Sequence, residues 1–504
     1  MKRAWGAALI LLAGCLAPGA KAPEPLDPVR FLLINDVYVA DTLTDGRGGL
    51  ARVATVRSRL ADQGAILFVL AGDLLSPSLL SKYYGGRQMV EALNAAKLDY
   101  ATFGNHEFEL PRDTLVARIA ESHFRWISTN CTQADGSPFP KVQPWDTVRI
   151  SGHLVGLFGL TLRGDYRSYV RCVDPDSAAH AVIETLNQLK ADLIVGITHQ
   201  SIEADRGLLA SEPTLDLILG GHEHEAHDSV VTSRHVIKAD ANSRSAQFAT
   251  LWGGKEHWRQ AIGLVPIDNR LPDDSATAEV VHRWEDSLRT RLGPERVVAT
   301  AVDPIDGRDE TSRRRESPLG DLVTDAMRAG TGTSVALINA GAMRLDDVIP
   351  AGPVSNYQME SIFLFADETR IVTFPLTGTR LQEVLEHGVG DQGLGKGGFL
   401  QVSGIAFSFD PDQQSGARIK GPITRSRGGP IAPTDTVSVA FAAYAACHGG
   451  DGYKVPEAGS ACARADSAPR AVDLLLRYIA DSLKGRLEPI PPGRIRETGK
   501  TNPG

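Results

Sequence analysis

Six residues in this chain are of types that can hold metal ions: Asp36, Asp73, Asn105, His199, His222 and His224. Together they offer carboxylate, amide and imidazole donors. Such a mixed oxygen and nitrogen set suits manganese, zinc, iron or cobalt better than calcium, which prefers oxygen alone. Taken singly, an aspartate or histidine is most often a solvated or capping residue. The weight lies in where the six fall: five short apolar runs, residues 29–34, 65–71, 100–103, 192–198 and 215–219, each end abruptly in one or more of them. Gly72, Gly104, Gly220 and Gly221 stand beside these positions, where a missing side chain lets backbone and ion approach closely.

Runs of this kind read as buried strands. Helical stretches between them, such as 50–60 and 178–189, suit crossover connections. In open α/β sheets ligands bind beyond the carboxyl ends of the strands, so the five polar clusters are expected to converge on one edge. Residues 273–292 read as an amphipathic helix, with Val280, Val281, Trp284, Leu288 and Leu292 at helical spacing and Gly293-Pro294 as the stop. That helix would link two bodies and serve as a hinge. Beyond it strands and helices alternate again, without a second cluster of metal-binding types.

A chain of 504 residues, 42% hydrophobic and 23% charged, is an ordinary globular composition too long for one core, which makes two domains the default. The net charge of -8 supplies no basic surface for a nucleic acid polymer. An anionic substrate must therefore be held by local groups. Lys2 and Arg3 precede an apolar run, 5–13, that is too short to span a bilayer and reads as an export signal. Leu12-Ala13-Gly14-Cys15 resembles a bacterial lipobox, in which Cys15 would be acylated, and Leu16 lacks the aspartate associated with inner-membrane retention. The resemblance points to the outer membrane, on its periplasmic or surface face; a plain secretory signal is the alternative. The division expected is 1–15 signal, 16–28 Pro-rich tether, 29–272 first domain, 273–299 linker helix, 300–490 second domain and 491–504 tail. Four cysteines follow Cys15. An exported protein can keep them oxidised, and Cys131 with Cys172 and Cys447 with Cys462 are the pairs considered, the connectivity being open at this level.

The order Asn35-Asp36, Gly72-Asp73, Gly104-Asn105-His106-Glu107, Thr198-His199 and Gly221-His222-Glu223-His224 resembles the motif series of calcineurin-type metallophosphoesterases, over residues 29–265. The resemblance implies a β-sandwich flanked by helices and two divalent cations about 4 Å apart. Asp73 would bridge them, with Asp36 and His224 completing one site and Asn105, His199 and His222 the other. His106 would stabilise the transition state near the leaving group. Glu109 lies one helical turn on, where it can orient the imidazole and favour its charged form. Two departures stand out. Asp36-Val37-Tyr38 puts tyrosine where the family has histidine; residues 36 and 38 of a strand share a face, so Tyr38 can point at the site, although a neutral phenol is a weak ligand. Glu109 stands where the bacterial enzymes commonly have aspartate.

The second half resembles the C-terminal domain of 5'-nucleotidases. Arg313 with Glu316-Ser317-Pro318-Leu319-Gly320, Asn339-Ala340-Gly341-Ala342-Met343-Arg344, Phe399-Leu400-Gln401-Val402-Ser403-Gly404 and Gly449-Gly450-Asp451-Gly452 carry the likeness. It implies that Arg313, Asn339, Arg344 and Asp451 contact a nucleoside and that Phe365 and Tyr444 sandwich its base; either aromatic is otherwise a core residue. The two resemblances together imply an α/β protein of the bacterial 5'-nucleotidase family in lipoprotein form, its β-sandwich domain joined by a linker helix to an α/β recognition domain. The implied activity is hydrolysis of nucleoside monophosphates by water activated between two divalent metals. The partners are then the nucleotide and, through Cys15, a membrane, with no protein partner expected. Relatives of the same architecture remain alternatives: a 2',3'-cyclic nucleotide phosphodiesterase, a UDP-sugar or dinucleotide hydrolase, or a thiosulfohydrolase. A nucleotide-binding lipoprotein without turnover is the alternative outside enzymes.

Overall fold

The apolar runs that end in metal-binding types are strands, and each is buried along most of its length. In the computed structural model, residues 27–499 are described apart from 44, 165, 255–256, 346, 365–368 and 392, so Cys15 and Phe365 lie outside the described residues. The five strands do not share one open sheet. A seven-stranded sheet runs β15 (His257–Pro266), β14 (Ser245–Gly254), β1 (Val29–Ile34), β2 (Leu67–Ala71), β3 (Tyr100–Thr102), β4 (Arg125–Ile127) and β6 (Val142–Gln143). A six-stranded sheet runs β12 (His227–Val231), β13 (Arg234–Lys238), β11 (Leu217–Gly221), β10 (Leu193–His199), β8 (His153–Thr161) and β7 (Trp145–Ile150). Phe31, Leu33 and Val69 of the first sheet share a core with Val195, Ile197 and Leu219 of the second, so the sheets pack face to face. The outer face of the first sheet is covered by helices Leu50–Ala61, Arg87–Ala95 and Arg112–Glu121, and that of the second by Pro175–Gln188 and Ile202–Ser211. The result is a helix-flanked sandwich.

Parallel pairing brings the strand ends level. Ala71 lies opposite Thr102 on one sheet and His199 opposite Gly221 on the other, so all five polar clusters meet at one rim of the sandwich. Convergence therefore holds, but on an edge made by two sheets. Beside this rim β5 (Cys131–Gln133) and β9 (Val170–Cys172) pair antiparallel with Cys131 opposite Cys172, and the two are disulfide-bonded. Cys447 and Cys462 form the second disulfide.

The amphipathic helix runs Ser275–Leu292, its N-terminus capped by the Asp274 carboxylate accepting from the Thr277 N–H, and it ends at Gly293 with φ 76°. It is packed against the first domain. Val281 enters the core of the first domain, the Trp284 ring lies 4.9 Å from that of Tyr84, and its indole N–H donates to Glu91 at 3.1 Å. Only a few residues separate its end at Leu292 from the strand Val297–Ala301. The second domain is built on a mixed four-stranded sheet ordered Ile371–Thr377, Thr436–Ala442, Val335–Asn339 and Leu400–Ser403. Helices Pro318–Thr331 and Ala471–Asp481 share its core. Among the described residues no helix is long and apolar enough to cross a membrane.

Candidate active site

Four of the six candidate ligands sit on left-handed backbone: Asp36 at φ 52°, Asp73 at 60°, His222 at 88° and His224 at 61°. For residues with a side chain this conformation costs on the order of 1–3 kcal/mol each, and it persists only where the surroundings enforce it. Glu107 supplies much of that enforcement. Its buried carboxylate accepts four backbone N–H groups, from Asp73 (2.9 Å), Leu74 (2.7 Å), Leu75 (2.9 Å) and Gly104 (2.6 Å), tying the loop after β2 to the loop after β3. Gly104 has to be glycine here, because a Cβ would stand 2.0 Å from Asp73 Oδ1. On the other side, Asn35 donates to Asp36 Oδ2 at 2.7 Å and to the Ala239 carbonyl at 3.1 Å, while the His222 N–H donates to the same Asp36 oxygen at 2.9 Å.

Asp36, Asp73 and His199 each place a donor atom within 4.8 Å of the others, all three buried. The His199 Nδ1–H donates to the Ala71 carbonyl at 2.9 Å, which turns Nε2 towards Asp73 Oδ2 and Asn105 Oδ1, each 3.2 Å away. The His224 Nε2 lies 3.4 Å from Asp36 Oδ1, and the His222 ring packs edge-on against His199. Burial works against the ionised carboxylates of Asp36 and Asp73, but His199 and the neighbouring histidines outweigh it and hold both below the usual carboxylate range. Burial likewise opposes charge on His199, and the two carboxylates override it, raising the imidazole to about 10. His222 moves the other way, down, through burial and the charge of His199. Two ionised carboxylates this deep attract positive charge, and the imidazole and amide donors around them make the set fit a divalent transition-type cation.

Tyr38 points into this cluster, but not because it lies on a strand. β1 stops at Ile34, and the left-handed turn at Asp36 lets the Asp36 and Val37 N–H groups bond to the carbonyls of Gly72 and Asp73. The Tyr38 and Val39 N–H groups then bond to the side chain of Asn242. The phenol donates to Asp73 Oδ2 at 3.0 Å and lies 3.1 Å from His224 Nε2 and 3.4 Å from Asp36 Oδ1. Burial first, then the two aspartates, push its ionisation well above the usual range.

His106 and Glu109 begin and end one 3₁₀ turn, which brings Nδ1 to 2.8 Å from Glu109 Oε1 as the spacing implies. The His106 Nε2 lies 3.8 Å from Asp73 Oδ2. Burial opposes its protonation, but the Glu109 and Asp73 carboxylates prevail and raise its pKa. Arg344 reaches this pair from the second domain: its guanidinium bonds to Glu109 Oε1 at 2.8 Å and lies 3.1 Å from His106 Nδ1. Sequence reasoning placed Arg344 with the nucleoside; its guanidinium lies beside His106 and Glu109.

The other second-domain candidates gather nearby. Asn339, fully buried at the end of its strand, donates to Asp451 Oδ2 at 2.7 Å, and its side-chain amide oxygen has no hydrogen-bond partner among the described residues. Asp451 sits on left-handed backbone, with its carbonyl accepting from His387 at 2.8 Å. Burial raises its carboxyl, opposed by Asn339 and by the charges of Arg313, His387 and Arg344. Arg313 pairs with Asp309. Half-buried Tyr444 lays its ring over the turn at Gly450, where a Cβ would stand 2.3 Å away. Sequence reasoning gave no role to Glu107, Asn242 or His387. Only Glu107, inside the Gly-Asn-His-Glu motif, had a local signal that could have found it.

Two family models match the chain, calcineurin-like phosphoesterase over residues 29–226 and 5'-nucleotidase, C-terminal domain, over residues 297–458. Among curated proteins the chain is 25% identical over 424 residues to Protein 5NUC of Lutzomyia longipalpis, covering 74% of this chain and 73% of that one. Among solved structures, a 5'-nucleotidase precursor from Thermus thermophilus superposes with TM-score 0.76 at 23% identity, over 94% of this chain and all of that one (100%). The sulfate thiohydrolase SoxB of the same organism superposes with TM-score 0.69 at 15% identity, over 95% and 98%. At these identities the two structures share the fold with this chain.

Proposed function

We propose that this chain, which belongs to the 5'-nucleotidase family of two-domain phosphoric ester hydrolases, hydrolyses nucleoside monophosphates to nucleoside and phosphate. The observation that carries the reading is the contact of Arg344 with His106 and Glu109: the domain that bears the recognition candidates reaches the pair that faces the reacting phosphate. Asp36, Asp73 and His224 would hold one divalent ion and Asp73, Asn105, His199 and His222 another. Such ions, when bound, lower the pKa of a shared water and neutralise phosphoryl oxygens during in-line attack.

The remaining work falls to the chain itself. His106, whose protonation Glu109 and Asp73 favour against burial, faces the leaving oxygen and stabilises the charge that develops there. Glu109 orients the imidazole and holds Arg344 against it. On the nucleoside side, the unpartnered Asn339 oxygen and the Asp451 carboxylate are acceptors for ribose hydroxyls or base edges, and Tyr444 with Phe365 would stack the base. Stacking contributes about 1–3 kcal/mol per base.

Replacing Tyr444 with alanine tests this. The expected result is a fall in kcat/KM for AMP of roughly 5-fold to 150-fold, with p-nitrophenyl phosphate spared. Equal losses on both would make the aromatic a core residue and leave a phosphoesterase of another specificity. A panel of nucleoside monophosphates, 2',3'-cyclic nucleotides, UDP-sugars and dinucleotides, run on metal-depleted and metal-restored protein, separates hydrolysis from binding without turnover. Export and a lipid anchor on Cys15 belong to the same reading, supported by the Leu12–Cys15 motif and by two disulfides of the kind that oxidising compartments maintain. Mass spectrometry of the mature N-terminus checks the acylation.

A further inference from the structure

Beneath the three histidines lies a group of buried charges that the chemistry above does not use. Lys238, the last residue of β13, is completely buried, and its ammonium donates to the carbonyl oxygens of Gln200 at 2.6 Å and Gly221 at 2.8 Å. It pairs with Asp205 at 2.9 Å and with Glu223. Gln200 directly follows His199, Gly221 directly precedes His222, and Glu223 separates His222 from His224. The second oxygen of Glu223 accepts the N–H of Ile202 at 2.6 Å, at the start of the helix Ile202–Ser211, and the Gln200 amide donates to Asp205 at 3.1 Å. The lysine can cross under the loop because Gly220, its register partner, has no side chain; a Cβ there would stand 2.8 Å from Lys238 Cε.

An ammonium without solvent carries a large desolvation penalty, which an aliphatic side chain filling the same space would avoid. Fold stability alone is thus a poor account of a lysine at this position. What the ammonium does that an aliphatic chain cannot is hold two backbone carbonyls and one carboxylate at once, each next to a histidine. His222 and His224 stand on strained backbone that would relax if released. We infer that Lys238 is the positioning residue for the imidazole half of the site, an internal cation that ties the ends of β10 and β11 together at the spacing a divalent ion requires. The inference deepens the metal-dependent reading and rests on it.

The test uses the full-length protein stripped of metal and titrated with Mn2+ alone against a competing fluorescent chelator. Lys238→Met should weaken Mn2+ binding by about 10-fold to 100-fold, as expected when a group supporting the ligands is lost. That variant leaves the fully buried Asp205 without its cation, which destabilises the fold, so Lys238→Met/Asp205→Leu is the second variant: replacing the Lys238–Asp205 pair with apolar groups restores stability but not the carbonyl tethers, while Glu223, partly exposed, keeps the Ile202 N–H. The expected result is a metal-free Tm close to wild type together with Mn2+ affinity still weakened about 10-fold or more. Affinity that recovers along with Tm, or Lys238→Met protein that folds and binds Mn2+ as tightly as wild type, overturns the inference. Wild-type protein that takes up none of Mn2+, Zn2+ or Co2+ overturns the metal-dependent reading itself, and the inference with it.

Discussion

His106 is pulled in opposite directions, since its burial favours the neutral imidazole and the Glu109 and Asp73 carboxylates favour the cation. The carboxylates win. On the proposed reading His106 acts on the leaving group and ligates no metal, so its removal would leave the ions in place. His106→Ala is therefore expected to lower kcat by about 100-fold or more while metal content, read by elemental analysis, stays that of wild type. An unchanged kcat would remove His106 from the mechanism. At this scale the site was largely legible: the six candidate ligands and the His106–Glu109 pair sit in short motifs whose residue types and spacing carry the chemistry. Tyr38 was aimed correctly for a mistaken reason, because the left-handed turn at Asp36, invisible in residue type, does what strand alternation was expected to do. The contact of Arg344 with Glu109 was not legible, since it depends on how two domains meet.

Glu107 makes the 3₁₀ turn His106–Glu109 a clamp between two loops. Its four N–H partners need two fully accepting oxygens, and glutamine would turn a donor towards some of them. Each amide left unsatisfied costs about 1–3 kcal/mol, so Glu107→Gln should lower stability by at least that much and reduce kcat through displacement of Asp73 and Asn105. Thermal unfolding and steady-state kinetics check it, and wild-type values on both would refute the clamp. In the second domain the C-terminal strand Ile495–Glu497 is held by another carboxylate group: Glu316 accepts the N–H groups of Gly493, Arg494 and Ile495, while Arg494 pairs with Asp325 and Asp321. Three acids face one guanidinium. Burial, then Glu316 and Asp325, raise Asp321 to about 8 against the pull of Arg494. Between the unfolded value near 4 and this folded value, the native state keeps a proton that the unfolded chain has lost, so stability falls as pH rises and levels off above about 8. Asp321→Asn escapes that loss, and urea unfolding should show its advantage over wild type growing by about 1 kcal/mol or more from roughly pH 5 to pH 9. No growth would mean that Asp321 titrates normally. Element identity was readable from periodicity, but the division of five similar apolar runs between two sheets was not, because alternative pairings bury the same side chains.

The two domains meet through charged side chains. Lys82 of the first domain, almost fully buried, bonds to Glu360 of the second at 2.8 Å, with Tyr83 and Arg470 on the same carboxylate, and Arg344 crosses to Glu109. Contacts of this polar character are typical of domains that move relative to one another. The connection after Leu292 is only a few residues long, and the preceding helix is fastened to the first domain, so any opening swings the second domain as one body about a short pivot. On the proposed reading the substrate enters between the domains, and the Arg344–Glu109 contact then opens and closes with each turnover. If opening is slower than bond cleavage, kcat falls in proportion to solvent viscosity as sucrose is added and depends little on how good the leaving group is; a kcat indifferent to viscosity places the slow step back at the phosphorus.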